Sequence, residues 1–429
     1  MIRLYSRKLW VRVMVMGLLS LLALGVTQLI DPYIPDKISG RLAGSSADRL
    51  LDIIASAMLS VTIFSMTVMV STYRSSASQW TPRVHRLIMQ DSVTQKTLAA
   101  FIGAYVYALI AIILREISVF GDKHALVIFW LTVLVLAFVV WSLVRWVLHL
   151  QTFGSLLHTT RQVEDITKRR FQERLETPCL GAHALTGAVP SKAWPVTADQ
   201  SGYIQHINAE GLQSVASRLK VHIYLPKPIG RFVFLNEPFA WVDGTVSDTE
   251  RKEFRSMLRG HVTVEDLRSY EQDPRFGLNV MGEIASKALS PGINDPGTAI
   301  DVITRVGRIL SSYSSETSRI EGQKNIPEMD RLWVPPLDPA DLLNNGFGSL
   351  ARDGAKIFEV QHQLQVTLAA LMKHPDLGLS HAAEEFAELC LRRALEHMDF
   401  APDRQRLLAS VSDYLRLRAT QTQRSHLEL

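Results

Sequence analysis

The chain has 429 residues, 47% of them hydrophobic and 21% charged, with 46 Lys and Arg against 42 Asp and Glu. That length suits two or three domains. The two cysteines, Cys179 and Cys390, lie far apart and exclude a disulfide framework or a Cys-based zinc site. The basic excess gathers beside the apolar runs of the N-terminal third, where the loops of membrane proteins carry it, which argues against a nucleic-acid partner.

A bilayer core about 30 Å thick needs about 20 apolar helical residues. Four segments fit and predict an α-helical membrane domain over residues 1–150: Val13 to Ile30, Leu50 to Thr72, Leu98 to Leu114, and Ala125 to Val144 running on to Leu150. A signal peptide is the alternative for the first, from its basic start and the Ala23-x-Gly25 pair, but its apolar run continues to Ile30. Arg3, Arg7, Lys8 and Arg12 precede the first span, Arg74, Arg83, Arg86 and Lys96 lie between the second and third, and Arg145, Arg161 and Lys168 to Arg170 follow the fourth. The intervening loops balance their basic residues with acids. The positive-inside rule therefore predicts an inner-membrane protein with cytoplasmic N- and C-termini.

The second span is the most polar. Ser56, Ser60, Thr67 and Ser71 fall on one helical face, at spacings of three, four or seven. Such a stripe suits either close packing between helices or a water-lined path in a homo-oligomer. Beyond it, Thr81-Pro82 reads as a cap and first turn of a short helix to Gln90, and Ser92 with Gln95 has capping-box spacing before the third span. Trp80 suits the headgroup level.

Thr152 to Glu176 reads as a polar helix leaving the membrane, and "TPCLGAHALTGAVPSKAWPV" as a linker, so residues 151–180 form a connecting helix and linker. Residues 181–262 are predicted as a small β-rich region. Its elements are a strand Tyr203 to Ile207, a helix Leu212 to Leu219, a strand Val221 to Leu225, and a hairpin of Arg231 to Leu235 with Phe239 to Val242. The G-R-F-V-F-L-N-E-P-F pattern resembles hairpins of biotinyl and lipoyl carrier domains. No modifiable Lys sits in a matching turn, so the resemblance implies only a β-barrel-like shape.

Residues 263–429 are predicted helical. Asp273-Pro274 opens a helix with an apolar row at Leu278, Met281, Ala285 and Leu289, and Glu283 and Lys287 have ion-pair spacing on the opposite face. A second amphipathic helix runs through Ala299, Val302, Ile303, Val306, Ile309 and Leu310. Between them, in "KALSPGINDPGTAIDV", Ser290-Pro291-Gly292 breaks the first helix, and Asp295 is placed as N-cap of the second with Pro296 at N1. The same turn has a ligand-binding reading. Open amides near Gly297 and Thr298, with Lys287, Ser290 and Asn294 close by, would cradle an anion if Asp295 turned away. Ser311 to Asp338, rich in Ser and Pro, reads as a loop, and further helices follow from Asp341 to about Thr420.

"SQWTPR", "SGYIQHIN" and above all "DPRFGLNVMGEIASKALSPGINDPGTA" resemble the bacterial predicted membrane proteins grouped as domain of unknown function family 2254. The resemblance runs from the first span into the C-terminal helices. It implies four spans and a cytosolic domain, and it brings no catalytic residues with it. Where that family often has a bulky residue, this chain has Gly297, which loosens the first turn of the second helix.

No phosphate-binding loop, zinc-protease motif, nucleophile elbow or paired-cysteine pattern is present, and the 13 histidines lack ligand spacing. His206 and His222 could meet across adjacent strands, which is read as structural. The expectation is thus a non-enzyme without cofactor or metal, in contact with the bilayer, homo-oligomeric and open to an ion or small-molecule ligand. Two functions remain: an oligomeric channel or transport pore whose second span lines the path and whose cytoplasmic domain gates or senses, or a non-conducting scaffold or sensor.

Overall fold

In the computed structural model, residues 42–89, 91–117, 125–245, 248–322 and 327–419 are described, together with four isolated positions nearer the N-terminus. Apart from those isolated positions, the first expected span, Val13 to Ile30, and its basic flank lie outside the described residues. The chain divides into two compact units, Met1–Thr159 and Thr160–Leu429.

Among the described residues of the first unit, three helical stretches are long and apolar enough to cross a membrane: Ser45–Ala77, Pro82–Glu116 and Val127–Leu150. The helices are α1 (Leu42–Gln79), α2 (Pro82–Met89), α3 (Ser92–Glu116) and α4 (Ala125–Leu150). At 1.5 Å per residue, the 25 residues of α3 reach about 37 Å, enough to cross a bilayer core. Helix α1 packs against both α3 and α4. Ala47, Leu51, Ile54 and Met58 meet Phe101, Ala104, Tyr107 and Ala108 in the core. The alanines let the backbones approach closely, which is how helices associate where lipid offers no hydrophobic drive. The buried Tyr107 hydroxyl in that core is satisfied, since Tyr107 Oη lies 3.0 Å from Thr132 Oγ1. Asp91, not Ser92, caps α3: its carboxylate accepts from the Thr94 amide at 2.7 Å and lies 2.9 Å from His149 Nε2. The expected capping box thus gives way to the carboxylate one residue earlier, a stronger acceptor for the same open amides.

The second unit begins within α5 (Leu156–Glu176) and carries eight short strands and nine further helices among the described residues. A five-stranded sheet has the order β1-β8-β4-β6-β2, from β1 (Ala182–Ala184), β2 (Trp194–Thr197), β4 (His222–Tyr224), β6 (Pro238–Asp243) and β8 (Met329–Val334). A three-stranded sheet has the order β5-β3-β7, from β3 (Gly202–Ile207), β5 (Phe232–Val233) and β7 (Val262–Glu265). Helices α6 (Ala209–Leu219) and α7 (Asp248–Gly260) supply Leu212, Ala216, Phe254 and Leu258 to the same buried core as the inward strand positions.

Several expectations need correction here. The strands form two separate sheets rather than a barrel-like region. The expected hairpin does not form, because β5 pairs with β3 while β6 pairs with β4 and β2. The expected linker holds β1 and β2, and the expected Ser311–Asp338 loop holds β8, which lies between β1 and β4. His206 and His222 fall in different sheets.

The remaining helices are α8 (Pro274–Ala288), α9 (Pro296–Leu310), α10 (Glu316–Gly322), α11 (Pro339–Asp353), α12 (Phe358–Leu371), α13 (Leu377–His397) and α14 (Ala401–Ser410). Helix α8 packs on α9 and α11, and α9 on α12. Glycines set the approach: a Cβ on Gly282 would stand 2.8 Å from the Gly346 carbonyl oxygen, and one on Gly346 would stand 2.6 Å from a Val306 methyl.

Candidate functional site

On α1 the buried face holds Leu51, Ile54, Met58 and Ser65, which recur at near-heptad spacing toward α3 and α4. Ser56, Ser60, Thr67 and Ser71 fall on the opposite face and are all exposed. Three of these hydroxyls donate back into their own helix: Ser56 to the Asp52 carbonyl at 2.9 Å, Ser60 to Ser56 at 3.2 Å, and Thr67 to Ile63 at 2.9 Å. Back-bonding lowers the cost of a hydroxyl in an apolar setting. Ile63, Phe64 and Val70 share the face, so it is mixed rather than wholly polar. On the packed face of α1 the fully buried hydroxyl residue is Ser65, which sequence reasoning passed over. Its spacing from Leu51 and Met58 was the available signal.

The Ser290–Thr298 turn is built by capping. Asp295 accepts from the Thr298 amide at 3.1 Å and from the Thr298 hydroxyl at 2.5 Å, with Pro296 in the first turn of α9. Those bonds, with one from the Gly297 amide, hold its carboxyl below the ordinary carboxylate range. Asn294 takes φ +49° and its amide reaches the Ser290 carbonyl, while the Asp295 amide reaches Ala288 at 2.8 Å. Ser290 Oγ donates to the Lys287 carbonyl at 2.6 Å. Lys287 is half-buried, and Glu283 accepts from the Asn279 amide group at 2.7 Å. The Asp295 carboxylate thus already sits where the anion of the ligand reading would bind. A Cβ on Gly297 would meet Asp295 Oδ1 at 3.3 Å and no other atom within 4 Å, so this first turn is open rather than closely packed.

A third feature escaped sequence reasoning. A groove of about 830 Å³ opens between residues 313–319, 336–339 and 374–378. Ser314, Ser315, Thr317 and Ser318 line it beside Asp338, Asp376, His374 and Arg319. Asp338 and Asp376 cap α11 and α13, accepting from the Ala340 and Leu379 amides at 3.1 Å each. Burial, helped by Asp376, Glu316 and Asp338, pushes the Tyr313 phenol well above its ordinary range. Asp338-Pro339 and Pro375-Asp376 were legible as helix starts. Their convergence on one groove is tertiary and left no local signal.

The model of the domain of unknown function 2254 family, described as predicted membrane protein, matches residues 6–370. The chain belongs to this family. Family 2254 relatives include uncharacterised proteins of Mycobacterium bovis and of Mycobacterium tuberculosis, each 25% identical over 345 residues. Each alignment covers 75% of this chain, and the chain spans 63% of the length of those relatives. No solved structure matches the chain. A family 2254 membrane protein contacts lipid, and α1, α3 and α4 carry exposed apolar residues such as Ile53, Ile113 and Leu134.

Proposed function

We propose that this chain is the subunit of an oligomeric channel or transport pore of the bacterial inner membrane, with both termini in the cytoplasm, in which α1 lines the path and the second unit gates or senses. No catalytic step is part of this reading. The observation that carries it is the direction of the hydroxyl face: Ser56, Ser60, Thr67 and Ser71 turn away from the face that α1 packs on α3 and α4. Packing among the described residues therefore does not account for them, and a central contact between copies, or water inside a ring of copies, would suit them. The test is ion flux through purified protein in liposomes. Wild type is expected to conduct, and Ser60→Leu with Thr67→Leu is expected to cut flux without loss of assembly. A well-assembled oligomer that passes no ion under any imposed gradient would overturn conduction.

The groove favours the second reading, a membrane sensor that conducts nothing. A ligand that raises the thermal stability of the full chain while flux stays absent would select it.

A further inference from the structure

The groove wall 313–319 is fastened to the end of α5, the helix along which the chain runs from the first unit into the second. The Tyr313 ring packs 6.4 Å from that of Phe171, and its hydroxyl donates to the Leu337 carbonyl at 3.2 Å. Arg319 donates to the Leu175 carbonyl. Between them Glu316, fully buried, joins three elements. Its carboxylate pairs with Arg174 at 2.7 Å, accepts the Cys179 amide at 2.7 Å, and accepts the amide of Leu337 on the facing wall. Cys179 and Leu180 both hold positive φ, a conformation costly to non-glycine residues, and the Glu316 bond to Cys179 helps hold that turn. The third wall joins through Asp376, which accepts the Ser315 amide at 2.9 Å. Any shift in these walls is therefore felt at Arg174.

The lining also says what would fit. Ser315, Thr317 and Ser318 bring hydroxyls that both donate and accept to the lining. Asp338 and Asp376 already occupy the helix starts and oppose an incoming anion. Three prolines and Leu377, 84% exposed at the rim, offer apolar surface to the C–H face of a sugar or an alkyl chain.

We propose that this groove binds a small hydroxylated ligand carrying no net negative charge, of amino-sugar or amino-alcohol type, and that Glu316 and Arg174 pass its occupancy to α5. The proposal rests on the reading of the second unit as the sensing part and not on conduction, so a failed flux assay and a failed binding assay are separate results.

The experiment uses the full chain in micelles with glucosamine as probe and inorganic phosphate as the anionic comparison, followed by hydrogen exchange. Saturable glucosamine binding is expected, with slowed exchange in 313–319, 336–339 and 374–378 and altered exchange at 170–180. Ser318→Ala, at an exposed lining position, should weaken binding about tenfold, the loss of one well-placed hydrogen bond. Asp338→Asn, which keeps the helix cap and removes the charge, should weaken glucosamine and not strengthen it. Protection confined to the groove, with 170–180 unchanged, overturns the transmission. No saturable glucosamine binding, or binding of phosphate in its place, overturns the ligand class.

Discussion

Asp295 shows how a single carboxylate decides between two readings of one turn. Because it bonds the amide and hydroxyl of Thr298, its removal deprives α9 of a cap, and Asp295→Ala is expected to cost about 1 kcal/mol. Asp295→Asn should cost a few tenths of that, since the amide oxygen caps nearly as well. The pH dependence has a definite sign. The folded carboxyl is held below its ordinary value, so its contribution is complete above about pH 4 and fades as pH falls through the lowered folded value. Urea midpoints of wild type and Asp295→Asn should therefore differ at pH 7 and converge toward pH 3. Gly230 is a second residue whose identity is forced. It holds φ +82°, and a Cβ there would lie 1.9 Å from Asp273 Oδ2, where Asp273 caps α8 and pairs with Arg268. Gly230→Ala should lower stability by about 1–3 kcal/mol, read as a shift in urea midpoint at constant slope.

Between elements, the buried Glu164 carboxylate on α5 pairs with Arg305 and Arg308 of α9, and Arg305 also bonds Asp301 at 2.6 Å. Removing one partner of a buried pair strands the other, so Glu164→Ala should cost about 3 kcal/mol, near the lower end for such pairs because Asp301 still serves Arg305. A calorimetric or urea measurement of that variant against Arg308→Ala, at a more exposed site and expected below about 1 kcal/mol, would separate the two roles. Helices were legible here because their signals are local: Asp273-Pro274 and Asp295-Pro296 mark helix starts that the structure reproduces. Strand pairing was not. A two-residue strand such as Phe232–Val233 carries the right alternation yet says nothing of its partner, and β8 is six residues set in Ser- and Pro-rich surroundings. Which sheet a short strand joins depends on residues a hundred positions away, as with β1 and β8.

At the scale of the whole molecule, three of the expected spans coincide with described apolar helices, because twenty apolar residues in a row admit little else. The direction of the hydroxyl stripe needed the packing of α3 and α4 to be known. That direction can be tested without any assumption about the permeating species. Cys179 and Cys390 are buried, and burial pushes each thiol up to about 12, so neither competes for a thiol reagent. A cysteine placed in α1 therefore reports its own surroundings. If the stripe faces water in the assembled protein, Ser60→Cys should react with a charged, membrane-impermeant methanethiosulfonate at least about tenfold faster than Leu134→Cys, on an exposed apolar stretch of α4. A thiol in lipid is held neutral and out of the reagent's reach, so equal and slow labelling at both positions would place the stripe against lipid. Slow labelling of Ser60→Cys together with disulfide formation between copies would place it at a dry contact between subunits, and the conducting path would then have to run elsewhere.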